Sequence, residues 1–250
     1  IVNINDGGKQ IVLGGTTGVI SINKGGVETV SAGVVIGGTA FSGGVQEVLG
    51  GTVSKMVVAT GGAQEVRGGV ITNTKVSGRQ SVLGGTATDN KIFSGGVQLV
   101  QGGTANTNVI NSGAKQNIAD GLAINNTIEA GGVQQIAVGT AQNTTVNSSG
   151  VQKVFGGTVF DTTIKNGGLQ TVKGGSVSRT TIEAGAIQDI NAGTVTTVTI
   201  AKEGVENVTG GVIKDVTVYG TQNVSSGETS LNKILAGGKQ IVLGGTVSDN

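Results

Sequence analysis

The sequence predicts an all-β protein, a single-stranded parallel β-helix (β-solenoid) of about 14 turns of 18 residues, right-handed and three-sided. Three observations predict it. A Gln or Glu recurs fourteen times, at Gln10, Glu28, Gln46, Gln64, Gln80, Gln98, Gln116, Gln134, Gln152, Gln170, Gln188, Glu206, Gln222 and Gln240, always 18 residues apart except for two steps of 16. Val or Ile follows two residues after each, from Val12 to Val242, and Gly five residues after each, from Gly15 to Gly245. Finally, β-branched residues cut by Gly pairs leave no helical period, and 18 residues cannot hold a βαβ crossover, so like must stack on like.

With the Gln as position 0, each element of the turn has a reason. Position +1 is varied and often polar (Glu47, Glu65, Lys153, Asp189), so it points outward. Alternation then turns Gln and the +2 aliphatic inward together. A buried amide must be hydrogen-bonded, and stacked amides can bond one another along the axis. The Gln column (Gln10, Gln46, Gln64, Gln80, Gln98, Gln116, Gln134, Gln152, Gln170, Gln188, Gln222, Gln240) therefore reads as an internal ladder interrupted by Glu28 and Glu206; the alternative is that each Gln caps a corner and bonds backbone. Small or β-branched residues at +7 and aliphatics at +12 complete the inward set, and bends fall near the glycines. The +5 Gly implies a backbone with φ above zero.

The two short steps lose an even number of residues at one place, leaving Ser77-Gly78 and Tyr219-Gly220 where other turns have four residues, so inward and outward are not exchanged. In-register stacking also pairs Asp161 with Arg179 and sets Glu47 over Glu65. One continuous repeat domain over 1–250 is expected, and because Ile1 and Asn250 fall mid-pattern, it is expected to be a piece of a longer array.

Composition narrows function. The chain has 48 Gly but no Pro and no Gly-X-Y period, which excludes collagen. It has no Cys and no His, which removes disulfides, thiolate metal sites and His-based catalytic relays. Cys-free composition suits a chain that crosses a membrane unfolded. Sixteen basic and 15 acidic residues are scattered without a basic stripe, so no nucleic-acid partner is expected. No apolar run spans a bilayer as a helix. Acidic residues are isolated and the five aromatics are dispersed, against the paired carboxylates and sugar platforms of a polysaccharide-active β-helix. No Asp column supports a calcium β-roll, and the +6 Thr column is too interrupted for an ice-binding face. No catalytic, cofactor or metal residues and no small-molecule substrate are expected.

The unit S/N-x-G-G-V-Q-x-V-x-G-G-T-A/V-x-x-T-x-V/I, best carried by 94–113 and 147–168, resembles the repeat of AIDA-type self-associating autotransporter adhesins, the group of the diffuse-adherence adhesin, TibA and antigen 43. The resemblance covers residues 7–250. It implies a passenger exported through the outer membrane to the bacterial cell surface, mediating host-cell adhesion, autoaggregation and biofilm formation. Its implied partners are the host-cell surface or like passengers on neighbouring bacteria, and a heptosyltransferase that modifies Ser or Thr near the corners. The corner serines are Ser42, Ser94, Ser112 and Ser148, with Ser149 beside them; other turns carry Thr60, Ala130, Ala184 or Ala236 there. An inert stalk displaying a distal binding domain is the alternative.

Overall fold

A computed structural model describes residues 1–248; Asp249 and Asn250, the last two residues of the expected repeat domain, lie outside the described residues. The chain forms two compact units, Ile1–Asn126 and Thr127–Asn250. Both are parallel β-solenoids, and among the described residues there is no helix.

In the first unit a representative turn runs from Val45–Val48 into Thr52–Val58. The next turn pairs with it in parallel and in register, Gln46 with Gln64 and Val48 with Val66. The short step preserves this, with Gln80 beside Gln64 and Val82 beside Val66. Three strand positions make up each turn, clearest where they separate into Val97–Val100, Thr104–Asn106 and Val109–Ile110. Three sides follow from three corners.

The second unit repeats the plan with Val133–Ile136 and Thr140–Val146. Further along, the corners are drawn into the ladder and one strand occupies most of a turn: Leu169–Ile182, Ile187–Ile200 and Val205–Val218. Its short step also holds register, pairing Glu206 with Gln222.

The core of each unit is a file of aliphatics, one from each inward position. Val48, Val53 and Val58 are fully buried in one turn, as are Val154, Val159 and Ile164 in another. Burial fails at the end of the second unit, where Ile234 and Val242 are 43% and 48% exposed although they hold core positions of the repeat.

Two expectations are corrected. Position +5 has positive φ in twelve turns, from Gly15 to Gly245, but not at Gly103 or Gly121. At Gly103 the demand is close approach: a Cβ there would lie 2.5 Å from the Gly84 carbonyl oxygen. Nor do glycines mark every bend. The third corner lies at +9, where Lys55, Asn73, Asp89, Thr107, Asn125, Asn143, Asp161, Arg179, Thr197, Asp215 and Leu231 all have φ between 51° and 60°. Apart from Gly37, that corner is made without glycine. Asn and Asp tolerate this conformation; Lys, Arg, Thr and Leu bear its cost to keep the chain in register.

Candidate functional site

The inward strand position gathers the predicted glutamines into a file. In the first unit Gln46 Nε2 donates to Glu28 Oε2 at 2.7 Å, Gln64 to Gln46 Oε1 at 2.6 Å, Gln80 to Gln64 at 2.8 Å, Gln98 to Gln80 at 2.6 Å and Gln116 to Gln98 at 2.6 Å. In the second, Gln152 donates to Gln134 at 2.7 Å, Gln170 to Gln152 at 2.6 Å, Gln188 to Gln170 at 2.5 Å, Gln222 to Glu206 Oε2 at 2.7 Å and Gln240 to Gln222 at 2.7 Å. Every bond runs one way, from the amide nitrogen of one turn to the oxygen of the turn before. Gln10 shares the register, paired with Glu28, but its Oε1 accepts nothing.

A second inward polar file lies at +10, which the strand reading left unassigned. Thr74, Asn90, Asn108 and Asn126 are buried in the first unit, and Thr144, Thr162 and Thr180 in the second. The asparagines reach backbone: Thr74 N–H donates to Asn90 Oδ1, Asn90 N–H to Asn108 Oδ1 and Asn108 N–H to Asn126 Oδ1, each at 2.8 Å. The signal was present in the repeat as the Thr two residues before the +12 aliphatic, which alternation turns inward.

Outward positions form hydrogen-bonded polar columns. Asn207 donates to Asp189 at 2.8 Å and Asn223 to Asn207 at 2.9 Å. Beside them Asn191 donates to Thr209 at 2.8 Å, and the two columns border an open hollow of about 470 Å³. On the +9 corner Arg179 makes two bonds to Asp161, at 2.6 and 2.9 Å, and its guanidinium lies 5.1 Å from the Phe160 ring centre. The hydrogen bond from Arg179 holds the Asp161 carboxyl below its ordinary value. Glu47 and Glu65 are register neighbours, yet each has its own partner: Thr29 donates to Glu47 and Arg67 to Glu65. A further hollow, of about 490 Å³ in the first unit, is bordered by Lys55, Lys75 and Lys91 with Asp89.

Ser42, Ser94, Ser112, Ser148 and Ser149 all lie exposed in corner turns. Each of the first four precedes the positive-φ residue of its corner, Gly43, Gly95, Gly113 or Ser149. The corner glycine of the following turn leaves the hydroxyl uncovered: a Cβ at Gly61 would come within 2.5 Å of Ser42 Oγ, and one at Gly167 within 2.7 Å of Ser148 Oγ. Among the described residues no group of three His, Cys, Asp or Glu could hold a metal ion, and no helix is long and apolar enough to cross a membrane.

No protein-family profile matches the sequence, and no curated protein matches it. Among solved structures, the crystal structure of a TibC-catalysed, hyper-glycosylated TibA fragment matches with a TM-score of 0.92 and 30% sequence identity, over 99% of this chain and 97% of that one. With likeness in sequence as well as fold over nearly the whole of both chains, this protein is a parallel β-solenoid similar to that TibA adhesin fragment.

Proposed function

We propose that the chain is a non-enzymatic adhesin passenger, exported to the bacterial cell surface and O-glycosylated on its corner serines. The observation that carries this reading is the end-to-end likeness to a solenoid that is itself a glycosyltransferase product. Supporting it, five serines stand exposed at corners, and at Ser42, Ser94 and Ser148 a glycine in the next turn keeps the hydroxyl clear. The transferase is expected to use a heptosyl donor and to favour the exposed serine just before the positive-φ corner residue.

Adhesion follows from repetition. Outward columns such as Asp189, Asn207 and Asn223 present amides and carboxylates at the strand spacing of about 4.8 Å. Individually weak contacts to a host glycan surface, or to a like passenger on a neighbouring cell, add through multivalency. Beads coated with the purified chain should clump, and more so after co-expression with a TibC-like glycosyltransferase. Intact-mass and peptide spectra should then place hexose- or heptose-sized additions on Ser42, Ser94, Ser112 and Ser148. Beads that stay dispersed in both forms would favour an inert stalk that lifts another domain from the cell.

A further inference from the structure

The amide file is interrupted once in each unit, and both interruptions involve a glutamate. Glu206 accepts from Gln222 through Oε2, and Glu28 from Gln46 through Oε2. On the opposite side of each, no hydrogen bond joins the glutamate to its neighbour in the file. Glu206 Oε1 and Gln188 Oε1 are both buried and unpartnered, as are Glu28 Oε1 and Gln10 Oε1. The residues of each pair are direct register neighbours. Two lone-pair acceptors left without a donor in a dry interior are costly unless one carries a proton.

At Glu28 a donor is at hand: Gln10 is the first amide of the file, and turning it over would bring its Nε2 to Glu28 Oε1 with nothing displaced. At Glu206 no such donor is in place. Turning the Gln188 amide over would point its nitrogen at Glu206, but that nitrogen already donates to Gln170 Oε1, and the turn would only move the missing bond one step along. The +10 position, which elsewhere offers Thr or Asn, holds Val198 and Val216 in these two turns. The remaining inward residues beside Glu206 are Ile190, Val195, Val208, Ile213 and Val218, all aliphatic and buried. In the turn after it, Thr229 and Asn232 are polar but uncharged. The charged side chains of the surrounding strands and corners, Glu183, Asp189, Lys202, Glu203, Lys214, Asp215 and Glu228, are all at half-exposed or exposed outward positions. Among the described residues Glu28 and Glu206 are the only ionisable side chains in the buried set.

We propose that Glu206 is held as a neutral carboxylic acid whose O–H donates to Gln188 Oε1, and that loss of this proton is a built-in pH-sensitive break in the ladder. The Glu206 carboxyl then does the work of the missing amide: it accepts from Gln222 on one side and donates to Gln188 on the other. Burial pushes Glu206 up to about 7, against the lowering effect of the Gln222 hydrogen bond, and raises Glu28 in the same way. The sign follows directly. Below the ordinary Glu value of 4.5 both folded and unfolded chains hold the proton. Between 4.5 and about 7 only the folded chain holds it, so stability falls as pH rises across this window and levels off above it. Above the window a buried carboxylate faces the Gln188 carbonyl oxygen, and the strand Val205–Val218 loosens from Ile187–Ile200.

The test uses the intact chain, with ¹³C-carboxyl glutamate labelling and denaturant unfolding from about pH 4.5 to about pH 8. One Glu resonance should titrate near neutrality and vanish in Glu206→Gln. The wild-type folding constant should drop on the order of a hundredfold across the window. In E206Q most of that drop should disappear, because Gln closes the file at every pH. Glu183→Gln, at the surface, should keep the wild-type profile. Titration of Glu206 in the ordinary glutamate range, or an E206Q profile that falls as steeply as wild type, would overturn the proposal. The wild-type titration decides the matter even if a variant fails to fold.

Discussion

The +10 file is built differently in the two units, and the difference shows how a side chain decides where a strand ends. In the first unit the asparagines at 90, 108 and 126 each take a backbone N–H from the turn before. That N–H is lost to the strand ladder, and the strands there are split: Thr86–Thr88 from Lys91–Ile92, and Thr104–Asn106 from Val109–Ile110. In the second unit Thr144 and Thr162 hold the same position, reach no backbone amide, and sit inside the unbroken strands Thr140–Val146 and Thr158–Ile164. Asparagine exchanges a ladder bond for a side-chain bond to the same N–H, although Asn90 Nδ2 is itself buried without a partner. Threonine keeps the ladder but leaves its hydroxyl idle: Thr144 Oγ1 and Thr180 Oγ1 are buried without partners, and Thr162 makes one long contact of 3.5 Å to Gln152. One column thus holds both indispensable and dispensable polar groups.

Substitutions at +10 should therefore differ in sign. Asn108→Ala strands the buried Asn90 N–H and opens a cavity, so it should destabilise by about 2–4 kcal/mol in chemical denaturation. Thr180→Val removes an unsatisfied hydroxyl from a site whose next-turn equivalents are already Val198 and Val216; it should stabilise by about 1 kcal/mol. Equal losses from both variants would show that the two chemistries are not distinct.

Smaller effects belong to the corners. Ser149 and Glu203 have φ of 60° and 66° at a corner where most turns use Gly. Ser149→Gly and Glu203→Gly should each raise stability by about 0.5–1 kcal/mol, read from the denaturation midpoint. The smallest change is expected for Asp161→Asn, which keeps a residue that tolerates the left-handed corner, because the Arg179 partner is exposed and the pair is screened. The Asp161 carboxyl lies below its ordinary value in the folded chain, so what the pair contributes is present above the ordinary Asp value and fades only as pH falls through the depressed one. Thermal melts in low and high salt should show a difference between wild type and D161N that shrinks with salt.

The register of the solenoid was legible because a period of 18 with even-numbered deletions admits one alignment, as the pairing of Gln64 with Gln80 shows. The +9 corner was not. Its occupants include Lys55, Arg179 and Leu231, residues that carry no left-handed preference of their own, so the conformation is imposed by stacking rather than encoded locally. The +10 file was half legible: alternation turns it inward, but Asn and Thr at one repeat position look interchangeable until the backbone partner of each is known. The glutamates at 28 and 206 read as plain substitutions in the column, and the buried, unpartnered oxygens of Glu206 and its register neighbour Gln188 emerge only from the structure.

The central claim is that stacked inward amides hold the turns together, and side-chain hydrogen exchange tests it most directly. Nε2 protons of Gln64, Gln98, Gln152 and Gln170 should exchange as slowly as the backbone amides of the core, while those of exposed Gln101 exchange at the free-amide rate. If the four buried glutamines exchange as fast as Gln101, they are not bonded in a file and the account fails.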